Sequence, residues 1–109
     1  MNERNMYDEL VTGLLSLLHD QMDRIVLYGS TARGTAEPDS DIDIALFITK
    51  KLTEEQENRL SDLVVDLDLK YDKVFSVIDI DHSTYLKWRD VTPFYQNVDR
   101  EGIVLWKTA

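Results

Sequence analysis

The chain has 109 residues, enough for a single small domain over 1–109 but not for a catalytic domain with a dedicated substrate domain beside it. With no cysteine and only two histidines, His19 and His82, it has no disulfide, no thiolate metal site and too few imidazoles for a zinc centre without carboxylate help, and a cytoplasmic address is the simplest expectation. A formal charge of −9, from 21 acidic and 12 basic residues, opposes a polyphosphate backbone and so makes nucleic acid an unexpected partner, while no apolar run or leader-like N-terminus points to a membrane.

Tyr7, Leu10, Val11, Leu14, Leu17 and Leu18 recur at three- and four-residue spacing, which predicts an amphipathic helix from about Met6 to His19, with His19 suited to the helix end. Arg24–Tyr28 reads as a strand that stops at Gly29-Ser30, and Ser30–Arg33 as the opening of a short helix. Glu37-Pro38-Asp39-Ser40 makes a turn, and a second strand begins at Asp41 and runs to Ile48. Thr53 with Gln56 three residues on forms a capping box, so the second long helix starts there and carries Leu60, Leu63, Val64, Leu67 and Tyr71 on one stripe. Val65 and Leu69 project away from it and read as isolated surface residues.

Lys73–Ile80 is apolar on both faces, as a covered central strand would be. His82–Trp88 suits a helical turn or two, Asp90–Pro93 breaks it, Phe94–Glu101 reads as another short helix, and Ile103–Trp106 as a closing edge strand. The expected fold class is α/β (α+β), a small mixed β-sheet with helices packed on it.

The chemistry concentrates between Tyr28 and Ile44. A glycine at the end of a strand admits a close neighbour, and free N–H groups at the following turn suit a phosphate. In the second strand the period of two puts Asp41 and Asp43 on one face and Ile42, Ile44, Leu46 and Ile48 on the other. Two carboxylates this close repel unless a cation lies between them. Hard oxygen ligands suit Mg²⁺, with Mn²⁺ as a substitute, completed by the phosphates of ATP or another nucleoside triphosphate.

Gly29-Ser30, Ala32-Arg33-Gly34 and Ser40-Asp41-x-Asp43 resemble the G-S-x-A-R-G…S-D-x-D signature of the DNA polymerase β-like nucleotidyltransferase superfamily. The short chain is similar to its minimal nucleotidyltransferases, small proteins that accompany HEPN-domain partners, and the likeness extends from about residue 24 to 106. The resemblance implies a nucleotidyltransferase fold and transfer of a nucleoside monophosphate, AMP from ATP first, to a hydroxyl acceptor. It also implies a two-metal site on Asp41 and Asp43, a tyrosine of a HEPN toxin as acceptor, and an antitoxin role. Steric neutralisation of the toxin with little catalysis is the other reading.

Gly29 and Ser30 are then the expected phosphate holders, Arg33 a phosphate partner or a brace for the aspartates, and Ser40 the cap that orients Asp41. The superfamily also takes a third carboxylate from the strand beside the Asp-x-Asp strand in an apolar-acid-apolar setting. Ile78-Asp79-Ile80 matches that setting, so Asp79 is the expected third acid and metal ligand.

Overall fold

A computed structural model describes residues 3–109; Met1 and Asn2, which belong to the N-terminal stretch read above for a leader, lie outside the described residues. The first helix, α1, spans Glu3–Leu18 and ends in a 3-10 turn at His19–Gln21, where His19 takes a left-handed φ of 51° that stops the helix. Strand β1 (Met22–Tyr28) leads directly into a short helix, α2 (Gly29–Arg33), closed by Gly34 at φ 78°. Strand β2 (Ile42–Ile48) follows the Glu37–Ser40 turn and pairs antiparallel with β1.

Helix α3 (Glu54–Tyr71) begins with the capping box its sequence spells: the Gln56 N–H donates to Thr53 Oγ1 at 3.1 Å and the Thr53 N–H to Gln56 Oε1 at 2.9 Å. It is the crossover that lets β3 (Phe75–Asp81) run parallel to β2. Helices α4 (His82–Trp88) and α5 (Pro93–Glu101) follow, and β4 (Ile103–Lys107) returns antiparallel to β1. The sheet order is β3-β2-β1-β4, a mixed sheet as the sequence predicts, with β4 at one edge.

The position of β3 differs from expectation. It is the other edge strand, not a central one. Its sequence is apolar on both sides because both sides are covered even at the edge: Phe75 and Val77 pack with the helices α1 and α3, while Ile78 and Ile80 pack beside Tyr85 of α4.

The sheet separates two cores. On one face Leu10, Leu14, Leu18 and Leu67 of the long helices pack on Ile25, Leu27, Ile42, Ile44, Leu46 and Ile48. On the other, Val26, Ala45, Phe47 and Ile80 meet Tyr85 of α4 and Val98 of α5. Val65 and Leu69 project outward from α3, the latter 79% exposed.

Candidate active site

The end of β1 and the start of β2 lie side by side, with Tyr28 the register partner of Asp43. Alternation along β2 sends Ile42 and Ile44 into the core under α1 and α3, so Asp43 faces the opposite side, and Asp41, one residue before the strand, lies near enough for its charge to act on Asp43. Asp41 is exposed just before the strand and Asp43 is half-buried within it. Gly29 sits directly against the second acid. Its φ is +75°, and a Cβ placed there would stand 2.4 Å from Asp43 Oδ2, so only glycine both turns the chain and leaves room for that carboxylate.

The electrostatics are those of two acids confined together. Burial, and after it the negative charge of Asp41, hold the Asp43 carboxyl above its ordinary value, while Arg33 pulls it back down. The Tyr28 phenol is pushed up by burial first and by the Asp43 charge second. This pair fits a hard divalent cation, which removes the repulsion that raises the Asp43 carboxyl and prefers carboxylate oxygen. Among the described residues no three His, Cys, Asp or Glu side chains gather as a ready-made metal cage, so a cation here would take its other ligands from phosphate and water.

The remaining predicted residues take definite places. Ser30 stands at the start of α2, and its carbonyl accepts the Thr35 N–H at 3.0 Å, closing the helix back on itself. Ser40 caps the turn before Asp41: its N–H donates to the Glu37 carbonyl at 3.0 Å and its hydroxyl accepts the Glu37 N–H at 2.9 Å. Arg33 Nη1 donates to Glu101 Oε2 at 3.2 Å, an exposed pair that ties α2 to α5.

Asp79 is corrected. In the parallel register Asp43 stands beside Ser76 and Leu46 beside Asp79, so Asp79 lies three positions along, about 10 Å by strand rise, and on the opposite face of the sheet. It is exposed and lines a separate hollow with Ile48, Lys51 and Asp81. It cannot share a cation with Asp41 and Asp43. Ser76 holds the position next to Asp43 that a third acid would need, and it was the one small polar residue inside the apolar run of β3. Sequence reasoning takes the aromatics of the Pro93–Leu105 stretch, Phe94 among them, as packing residues and passes over Tyr28, Asn97 and Glu101; all four share with Gly29 and Arg33 the cleft beside Asp43.

Comparison with known proteins places this geometry. The family described as "Polymerase beta, Nucleotidyltransferase" matches residues 15–108. The chain is 32% identical, over 97% of its length and 100% of the relative's, to MJ0604 of Methanocaldococcus jannaschii, a protein provisionally named a protein adenylyltransferase. A toxin-antitoxin crystal structure with AMP-PNP aligns with a TM-score of 0.63 at 25% identity, covering 94% of this chain and 73% of that one. A Shewanella oneidensis complex, a tri-AMPylated HEPN toxin with an MNT antitoxin, shares the fold with a TM-score of 0.62 at 20% identity, covering 98% and 74%.

Proposed function

Because the chain belongs to the polymerase β nucleotidyltransferase family and is a nucleotidyltransferase by that descent, we propose that it transfers AMP from ATP to a tyrosine hydroxyl of a HEPN-domain toxin, and so acts as an antitoxin. The observation that carries this reading is the Asp43 carboxylate seated on Gly29, within reach of the Asp41 charge. The structures of a toxin-antitoxin pair with AMP-PNP and of an AMPylated HEPN toxin with its MNT antitoxin support the choice of nucleotide and acceptor. The formal net charge of −9 supports a protein acceptor over a nucleic acid, and a cytoplasmic address belongs to the same proposal; no helix among the described residues is long and apolar enough to cross a membrane.

Asp41 and Asp43 would hold Mg²⁺, or Mn²⁺ in its place, which when bound neutralises phosphate charge and favours the ionised acceptor hydroxyl. Gly29 and Ser30 receive the triphosphate through turn N–H groups and the serine hydroxyl. Arg33 leaves Glu101 for a phosphate oxygen, an exchange of one charge-assisted bond for another. Ser40 fixes the turn that presents Asp41. The acceptor oxygen bonds to the α-phosphorus, the α–β bond breaks, and pyrophosphate leaves while the hydroxyl proton passes to water.

The test is co-expression of the chain with its HEPN partner and measurement of the partner's intact mass. One or more added AMP units, lost in the Asp41→Ala/Asp43→Ala double variant, is the expected result, and an unmodified partner would sink the proposal. Ser76 beside Asp43 favours a second reading, steric neutralisation with little catalysis, because no side chain at that position can take the hydroxyl proton. Full neutralisation by the double variant would select it.

A further inference from the structure

Arg24, Arg89 and Lys107, three of the chain's 12 basic residues, come together although they are far apart in sequence. Arg24 and Lys107 are register partners on β1 and β4, and Arg89 directly follows α4, so three elements bring them to one hollow of about 320 Å³. His82, at the start of α4, lines it as well, and Asp23 is the one acid on its wall. A chain of formal charge −9 thus gathers three cations against one acid at a single place. The hollow is separate from the acids of β2: Tyr28 is the register partner of Asp43, and Arg24 stands four residues before it on β1, about 13 Å away by strand rise.

These cations are held by ring faces more than by acids. The Arg24 guanidinium lies over Phe47 and Tyr85 at 4.4 and 4.8 Å, and that of Arg89 over Tyr85 at 5.1 Å, contacts that use the faces of the guanidinium groups and not their N–H edges. The acids nearby stand beyond hydrogen-bond reach. Asp23 Oδ2 is 3.6 Å from Arg24 Nε and 3.8 Å from His82 Nδ1, and the Asp99 oxygens are 3.9 Å from Arg24 Nη2 and 3.7 Å from Arg89 Nη2. Asp99 is committed elsewhere, since both its oxygens accept the Tyr85 hydroxyl, at 2.6 and 2.8 Å. Arg24 Nε and His82 Nδ1 are buried with no hydrogen-bond partner among the described residues, an arrangement that costs stability and calls for a functional reason.

We propose that this hollow binds a phosphate dianion, held by Arg24, Arg89 and Lys107 with the His82 ring at its side. Two guanidinium groups and an ammonium match a tetrahedral group with several charged oxygens, whereas a single carboxylate would leave part of that donor set unmatched. The group is free phosphate or the phosphate of a small monoester, and Asp41 and Asp43 take no part in holding it.

The experiment is an NMR titration of the full chain in Mg²⁺-free buffer, followed at the arginine Nε–H and backbone amide signals, with inorganic phosphate, AMP and acetate as probes. Phosphate should shift the Arg24 Nε–H signal and the amides of α4 and β4 along one saturable curve. Acetate should bind about tenfold more weakly, because a single charge engages fewer cations. Arg89→Gln, at an exposed position that spares the core, should weaken phosphate about tenfold, the loss of one charge-assisted hydrogen bond. Arg59→Gln on α3 and Arg33→Gln on α2 should leave phosphate affinity unchanged. Tighter binding of AMP than of phosphate would assign the group to a monoester, and AMP bound no more tightly would assign it to the free anion. Absence of a saturable shift at Arg24 overturns the proposal, as does acetate bound as tightly as phosphate or unchanged phosphate affinity in Arg89→Gln. An equal loss in Arg33→Gln overturns it too, because the anion would then sit at the turn after Gly29.

Discussion

The two faces of the sheet are built by different means. One face is covered by α1 and α3, helices of 16 and 18 residues whose leucines and valines close over an aliphatic core with Leu10, Leu14, Leu18, Ile25, Ile44 and Leu46 wholly removed from solvent. The other is covered by α4 and α5, only 7 and 9 residues long, and is aromatic and charged. There Phe47 meets Tyr85 edge-on at 4.8 Å, and the Arg24 guanidinium lies over both rings at 4.4 and 4.8 Å. The Tyr85 hydroxyl donates to both Asp99 oxygens at 2.6 and 2.8 Å. The aliphatic face supplies stability through burial that needs no partner, and the short-helix face leaves carboxylates, a phenol and an open cleft available to a ligand. Stability and chemistry are thereby separated by the thickness of one sheet.

The separation can be broken experimentally. Leu14→Ala, at a fully buried position between helix and sheet, should cost about 2–5 kcal/mol in urea denaturation while leaving ATP affinity of the folded fraction unchanged. A parallel loss of affinity would show that the two faces are coupled. Gly29→Ala should do the reverse. It forces a side chain onto φ +75° and against Asp43 Oδ2, so stability should fall by about 1–2 kcal/mol while ATP affinity falls more than tenfold. Wild-type ATP affinity in this variant would place the phosphate elsewhere. Tyr85→Phe sharpens the picture on the functional face: it removes the hydroxyl that Asp99 accepts from and should cost about 1 kcal/mol in thermal denaturation, with no change in ATP binding because Tyr85 lies toward the Arg24 end of the sheet, away from Asp43.

What could be read from the sequence follows the same division. The stripes of α1 and α3, the Thr53–Gln56 capping box, the turn glycine and the facing of Asp43 away from Ile42 and Ile44 are local patterns, each fixed by neighbours within a few residues. The errors lie where distant segments meet. Ile78-Asp79-Ile80 has the look of an acid among apolar strand residues, but its facing depends on register against β2, and a register with Leu46 beside Asp79 turns that acid away from the site. Apolarity on both faces of β3 signalled cover on both faces, which helices on either side provide at an edge as well as at the centre. Phe94, Asn97 and Glu101 reach the site only because α5 packs back over β1, a tertiary fact with no local signature.

The smallest effect is expected at the site itself, in the ligand-free protein. Burial and Asp41 raise the Asp43 carboxyl in the folded chain, against the pull of Arg33 and beside the uncharged Tyr28 phenol. An acid whose folded-state pKa lies above its unfolded value holds its proton more tightly when folded. The folded state therefore loses stability as pH rises from the unfolded value through the folded one, and at neutral pH the whole of that loss is present. Asp43→Asn removes the ionisation, so its ligand-free melting temperature should exceed that of wild type at neutral pH and approach it in acid, where the wild-type carboxyl is protonated in both states. The gain is limited because Asp43 is only half-buried and Arg33 already offsets part of the repulsion. With Mg²⁺ and ATP the order should reverse, since wild type gains RT ln(1 + [L]/Kd), about 2.7 kcal/mol at a hundredfold excess over Kd, and the variant does not. Melting curves at acid and neutral pH, each with and without Mg²⁺ and ATP, measure both effects in one series. A variant no more stable than wild type at neutral pH would mean that the two acids are not in conflict, and a variant stabilised by Mg²⁺ and ATP as much as wild type would mean that Asp43 does not hold the cation.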